Sequence, residues 1–312
     1  MDYLLFLQTK LPSCMIINYF KRAFSARLRL ILSIFMLVAV LLSSAPMLRA
    51  QGQVSTRSHR LADFTDKVTQ VVLTENQWLS GALRQEVVAG WTASAFEFCT
   101  LEQFEKLKTQ DRYYFLLVLE SRFKDEETPG VSFLTLLKGG PEAAKGLGAM
   151  YEVVSLPLVA ALGGTGRELT FLGGLVNTIQ EFTLEAMDSE KAAYSKEDWV
   201  NKGYRKWGRG KRVLIAREDL APTVSEKDLL KCVNDRFQVV ETPVADQAYL
   251  DTASGTLVGY VVAPVFPGKG SWCYKMLFEA DTHTLCYLSK HKIDASHGVG
   301  FLPADLKKLS RR

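Results

Sequence analysis

The densest collection of chemically active side chains is Lys202-Gly-Tyr-Arg-Lys-Trp-Gly-Arg-Gly-Lys-Arg212, in which six cations are interleaved with two aromatics. Aromatic faces stack on sugars or bases, and Lys and Arg heads hold phosphate or carboxylate groups. The expected ligand contacts are Lys202, Tyr204, Arg205, Lys206, Trp207 and Arg209, with an anionic glycan or lipid as the ligand. The competing reading is a solvated linker with Trp207 tucked against the fold. Gly163-Gly-Thr-Gly166 has glycines that let backbone N–H groups approach a phosphate. A phosphate loop needs a preceding strand and usually a lysine, and the sequence offers neither, so a turn between two helices is expected. His283, His291 and His297, with Asp281 and Asp294, are zinc or copper ligand types. On a hairpin, however, 283 falls at the tip and 291 at the far end, so no metal site is expected, nor any cofactor. There is no G-x-S-x-G elbow and no cysteine–histidine pair of a familiar kind. Carboxylates for glycoside chemistry are often remote in sequence, which keeps a hydrolase with dispersed residues open.

The elements that would position these groups read as one order of strands and helices, given twice. Val68–Leu73 is β-branched, hence a strand. Asn76–Trp91 has Leu79, Leu83 and Val87 at helical spacing. A short strand over 95–99 precedes a capping box from Thr100 to Gln103, with Leu101, Phe104 and Leu107 on one helical face. Strands are expected over 113–121 and 131–137, with Pro129-Gly130 marking the turn between them. The second series has strands at 212–216, 237–240 and 256–263, helices from Ser225 and from Val244, and a closing hairpin over 271–280 and 284–291. Phe96 matches Phe237 and Tyr113 matches Thr256, at offsets of 141 and 143. The expected fold class is α/β (α+β): two similar β-α-β-α-β-β units with mixed sheets, separated by a helical insert. Residues 67–140 form the first unit, 141–204 an apolar helical middle segment, and 205–293 the second unit. Residues 51–66 are read as a flexible lead-in and 294–312 as a C-terminal tail.

Residues 1–50 read as an address. Leu30–Leu42 is thirteen residues without a charge, preceded by Lys21, Arg22, Arg27 and Arg29 and followed by Ser43, Ser44 and Ala45. That is the composition of a secretory signal, with cleavage expected after Ala50; an uncleaved anchor is the rival. Six of the 38 Lys and Arg and one of the 34 Asp and Glu precede Gln51, so the remainder has a net charge of −1 and gives no warrant for nucleic-acid binding. Cys99, Cys232, Cys273 and Cys286 follow the leader. With Asp281-Thr282 at a hairpin tip, residue 286 faces 277. This is too far from 273 for a disulfide, and buried free thiols are expected.

Tyr274-Lys-Met-Leu-Phe-Glu-Ala-Asp-Thr-His-Thr-Leu285 resembles the last hairpin of the α/β domain of the curli secretion lipoprotein and of the N-terminal domain of the Tol–Pal propeller protein. That resemblance covers topology alone. Phe96-Glu-Phe-Cys-Thr-Leu-Glu-Gln-Phe-Glu-Lys-Leu107, with Tyr113–Leu119, resembles uncharacterised secreted proteins of Bacteroidales, which implies a periplasmic or outer-membrane setting. The expected role is a non-enzymatic adaptor or assembly component of the cell envelope. It would meet an envelope protein, or itself, through 141–204. A periplasmic glycan- or lipid-binding protein is the alternative.

Overall fold

The computed structural model describes residues 56–123 and 125–311, so the secretory signal expected over residues 1–50 lies outside the described residues. The first sheet contains β1 (Val68–Leu73), β2 (Ala95–Thr100), β3 (Tyr113–Ser121), β4 (Val131–Lys138) and β5 (Tyr151–Ala160), in the order β2-β1-β3-β4-β5. The second contains β6 (Arg212–Ala216), β7 (Phe237–Val240), β8 (Thr256–Val262), β9 (Trp272–Glu279) and β10 (Leu285–Lys292), in the order β10-β9-β8-β6-β7. In each sheet the first strand pairs parallel with the second and third, and the last three pair antiparallel. The two units are therefore alike strand for strand, as two similar α/β units with mixed sheets.

The crossovers follow the sequence signals. Helix α2 (Gln77–Gly90) links β1 to β2; the Asn76 side chain caps it by accepting from the Leu79 N–H, and Leu79, Leu83 and Val87 are its buried stripe. Helix α3 (Leu101–Leu107) links β2 to β3 behind the Thr100–Gln103 capping box. In the second unit α7 (Glu226–Cys232), capped by Ser225 and Asp228, links β6 to β7, and α8 (Thr242–Leu250) links β7 to β8. Between the units runs α4 (Arg167–Asp188), whose Phe171, Leu172, Leu175, Ile179 and Phe182 are buried against both sheets. α5 (Glu190–Tyr194) and α6 (Lys196–Lys206) return the chain to β6.

The two units do not present the same face to α4. The first unit packs α4 against its α2 face, while α3 lies on the other side with Cys99, Phe115 and Met150. The second unit packs α4 against its α8 face, through Ala245 and Tyr249, while α7 lies outside.

Three expectations are corrected. The middle segment is not wholly helical, because Tyr151–Ala160 is the fifth strand of the first sheet. Pro157 cannot donate to a ladder, yet β5 pairs only with β4, and the register slips beside Pro157, so the missing N–H costs little on this edge. The described part of the lead-in is ordered by α1 (Arg57–Leu61) and by Phe64, fully buried edge-on against Trp91 and Tyr114. Asp63 fixes it further by accepting from Tyr114 at 2.7 Å and Lys138 at 2.8 Å. The tail is also part of the core: Phe301 is buried, and α9 (Pro303–Leu309) buries Leu306 and Leu309. Lys275, nearly inaccessible on β9, finds its counter-charge on that helix, in Asp305 at 2.5 Å. All four described cysteines are buried free thiols, and Cys286 sits at a bulge opposite Leu277.

Candidate functional site

The shared topology allows position-by-position comparison of the two units. Val68 pairs with Tyr113 as Arg212 pairs with Thr256, and Thr69 pairs with Phe96 as Val213 pairs with Phe237. The N-caps of α3 and α8, Thr100 and Glu241, also correspond. In open α/β sheets the ligand crevice lies beyond the carboxyl ends of strands whose connections leave to opposite faces. The strands concerned are β1 and β2 in the first unit, and β6 and β7 in the second.

In the second unit that crevice is filled by the start of α4. Arg167 donates through Nε and Nη2 to Asp246 at 2.9 and 2.8 Å, and through Nη1 to Asp219 at 2.9 Å. A further bond reaches the Gly259 carbonyl at 3.3 Å. One turn on, Phe171 stacks on Tyr260 with centroids 4.6 Å apart. Burial pushes the Asp219 carboxyl up to about 6, with the guanidinium opposing it. Burial alone would lower Arg167; the hydrogen bonds it donates to Asp246 and the charge of Asp219 overcome it and hold the guanidinium above its ordinary range.

In the first unit the corresponding crevice is open. Its cavity measures about 540 Å³ and is lined by Leu73, Leu101, Phe104, Leu117, Leu119 and Leu147, with Glu75, Glu102 and Glu105 at its rim. Leu101 is 58% exposed and Leu147 40%, although both are apolar. The carboxylates match those of the filled crevice: Glu75 stands where Asp219 does at the strand-register offset of 144, and Glu105, five residues past its cap, stands where Asp246 does. Leu117 and Leu119 take the places of Tyr260 and Val262. Glu105 is paired with Lys108, the C-cap of α3, at 2.5 Å, and Glu102 with Lys106 of the same helix at 2.6 Å.

The residues expected from sequence are divided. Tyr204 is buried and packs edge-on against Tyr287, so its face is closed to a ligand. Trp207 packs against the second unit, with Lys211 over its ring and Gly203 beneath it. Lys202, Arg205, Lys206 and Arg209 are exposed, and Arg205 donates to the Asp198 carbonyl. Arg209 joins Lys307, Lys308 and Arg311 around a shallow cavity of about 410 Å³ that reaches Tyr204. Gly163-Gly-Thr-Gly166 does follow a strand, contrary to expectation, but the Glu168 carboxylate folds back to accept from the Gly166 N–H at 2.9 Å and lies against Gly164. The anion position of that turn is taken by the chain's own carboxylate.

His283 stacks on Tyr249, far down the hairpin from His291, while His297 pairs with Asp294 at 3.0 Å. Among the described residues no three His, Cys, Asp or Glu gather as metal ligands. Lys196 opens α6 in a cleft of about 170 Å³ beside Glu152 and Tyr274, donating to the Ser155 carbonyl. Desolvation there lowers the ammonium below its ordinary value, with Glu152 opposing.

Comparison with known protein families, curated proteins and solved structures finds no match for this chain. Sequence reasoning missed the open crevice because its lining comes from three strand ends and two helices. The available signal was Leu101, an apolar residue in the first turn of a helix whose buried stripe is already supplied by Phe104.

Proposed function

We propose that this chain is exported by residues 1–50 and serves in the cell envelope as a non-enzymatic adaptor that docks a protein partner in the open crevice of its first unit. The observation that carries this reading is an apolar, carboxylate-rimmed cavity at a topological switch point, lined by exposed Leu101 and Leu147. Leu147 belongs to the 141–204 segment, whose other apolar side chains are largely used inside. Among its described large apolar residues, only Leu147, Leu162, Leu184 and Tyr194 remain exposed. The likeness of the two units reads as a duplication in which one crevice became structural and the other stayed free to bind. A photo-crosslinking residue at 147 in the exporting cell should give one defined adduct, and Leu101→Glu should remove it. Adducts insensitive to Leu101→Glu, or a chain retained in the cytoplasm, would refute the proposal.

A second reading rests on a different observation. Arg209, Lys307, Lys308 and Arg311 converge on one shallow cavity and suit an anionic glycan or lipid headgroup. Flotation with vesicles containing anionic lipid should be lost in Lys307→Glu/Lys308→Glu, and the parent chain should not float with neutral vesicles. Equal flotation of both proteins would sink this reading.

A further inference from the structure

The chain contains one solved instance of its own recognition problem. In the second unit the crevice between the strand ends carries two carboxylates, Asp219 and Asp246, and is occupied by a helix start. That helix supplies an arginine that bridges both acids and, four residues later, an aromatic ring that lies on the sheet. Residues i and i+4 share a helix face, so the cation and the ring enter together. In the first unit the same positions carry Glu75 and Glu105, the sheet floor is Leu117 and Leu119, and nothing of the described chain enters. The charge is of the same sign and at the same places, and the apolar floor is intact.

We infer that the open crevice takes the first turns of a helix from a partner protein, presenting an arginine with an aromatic residue at i+4. This rests on the docking reading above and names what docks. Charge complementarity sets the direction. The arriving guanidinium displaces Lys108 from Glu105 and bridges to Glu75, as Arg167 bridges Asp246 and Asp219. The ring settles against Leu117 and Leu119, which Leu101 and Leu147 then cover. The partner's arginine gives selectivity and its aromatic gives most of the buried area.

A probe exists within the chain itself. A side-chain-stapled, N-acetylated peptide of residues 165–180, carrying Arg167 and Phe171, is added in trans to the full chain from Gln51, and fluorescence anisotropy is read. The staple matters because isolated helices of this length are marginal in water. Saturable binding is expected. It should weaken about tenfold or more when the peptide carries Arg167→Glu, and by a similar factor when the protein carries Glu75→Ala/Glu105→Ala. Circular dichroism and melting of that double variant should match the parent, because both carboxylates are exposed.

Equal binding of the Arg167→Glu peptide would mean an apolar site without charge reading, and would overturn the inference. Binding unchanged by Glu75→Ala/Glu105→Ala would place the peptide elsewhere and overturn it too. If the peptide fails while crosslinks from residue 147 stay sensitive to Leu101→Glu, the occupant's chemistry is wrong and the adaptor reading survives. If both fail, both are refuted.

Discussion

Arg167→Leu should be among the most damaging single substitutions in this chain. The guanidinium makes five hydrogen bonds of 2.8–3.1 Å to Asp219 and Asp246 through Nε, Nη1 and Nη2. Asp219 is 5% exposed, so loss of the cation strands a buried carboxylate beside a second one. Removing one partner of such a pair costs about 3–5 kcal/mol. For a chain of this size that corresponds to a melting temperature lower by roughly 6–20 °C. The variant Arg167→Leu/Asp219→Asn/Asp246→Asn should recover most of the loss, since neutral groups of similar volume leave no orphaned charge. The pH dependence has a definite sign. Burial raises Asp219 from 3.8 to about 6 in the folded state, so its protonated form favours folding. The contribution is fully present below the unfolded value and is lost as pH rises through about 6. Without Arg167 the carboxyl is pushed higher still, so the penalty at pH 8 should exceed that at pH 4.5. Urea unfolding followed by tryptophan fluorescence at both pH values measures this. A penalty under about 1 kcal/mol at pH 8, or one that grows toward acid, would refute the account of the filled crevice.

Three further outcomes are expected. Adjacent glycines of α4 should respond with opposite signs: Gly173→Ala meets only the flexible Glu86 carboxylate and should gain up to about 1 kcal/mol of helix propensity. Gly174→Ala drives its methyl to 2.7 Å from the Tyr249 hydroxyl and 2.8 Å from the His283 carbonyl and should lose about 1–3 kcal/mol in thermal or urea unfolding. Lys196 is lowered by desolvation, so its charged form disfavours folding, fully below its folded value and progressively less as pH rises toward its unfolded value. Measured against Lys196→Met, the parent should therefore gain stability between pH 7 and pH 10, and a flat difference would rule out a desolvated ammonium. Asp305→Ala leaves Lys275, 3% exposed, without its counter-charge and should cost about 3–5 kcal/mol by urea titration, whereas a solvated tail would lose nothing.

Most of the sheet framework was legible because its strands are β-branched runs bounded by turn residues, and because Thr100 with Gln103 and Ser225 with Asp228 announce their helices. The elements that were misread owe their form to tertiary contacts. Val153–Ala160 is apolar on successive residues and contains a proline, and only the edge position beside β4 makes it a strand. Arg57–Leu61 and Pro303–Leu309 are too short for a periodic signal and are held by Leu61, Phe64, Leu306 and Leu309 inserting into cores built by distant strands. The basic stretch was visible as charge, but the burial of Tyr204 by β10 and α9 was not. Glu75 and Glu105 carry no sequence signal, since they are two carboxylates among 34. They acquire meaning only when the register sets them beside Asp219 and Asp246.

That comparison also explains why one crevice is filled and the other is not. Had the two units met about a two-fold axis, each would offer the same face to α4, and both crevices would be filled or both open. They meet instead through unlike faces, the α2 side of the first against the α8 side of the second. A contact between unlike faces leaves one of each unmatched at the ends of the stack. At the second unit's end, the outer α7 face is closed by Phe301, by Leu306 and Leu309 from α9, and by Tyr204. At the first unit's end, among the described residues, the α3 side carries only its own helix and the turns around Leu147, and the crevice stays open. A stack capped at one end and open at the other has a direction, and its open end is where a further helix would add.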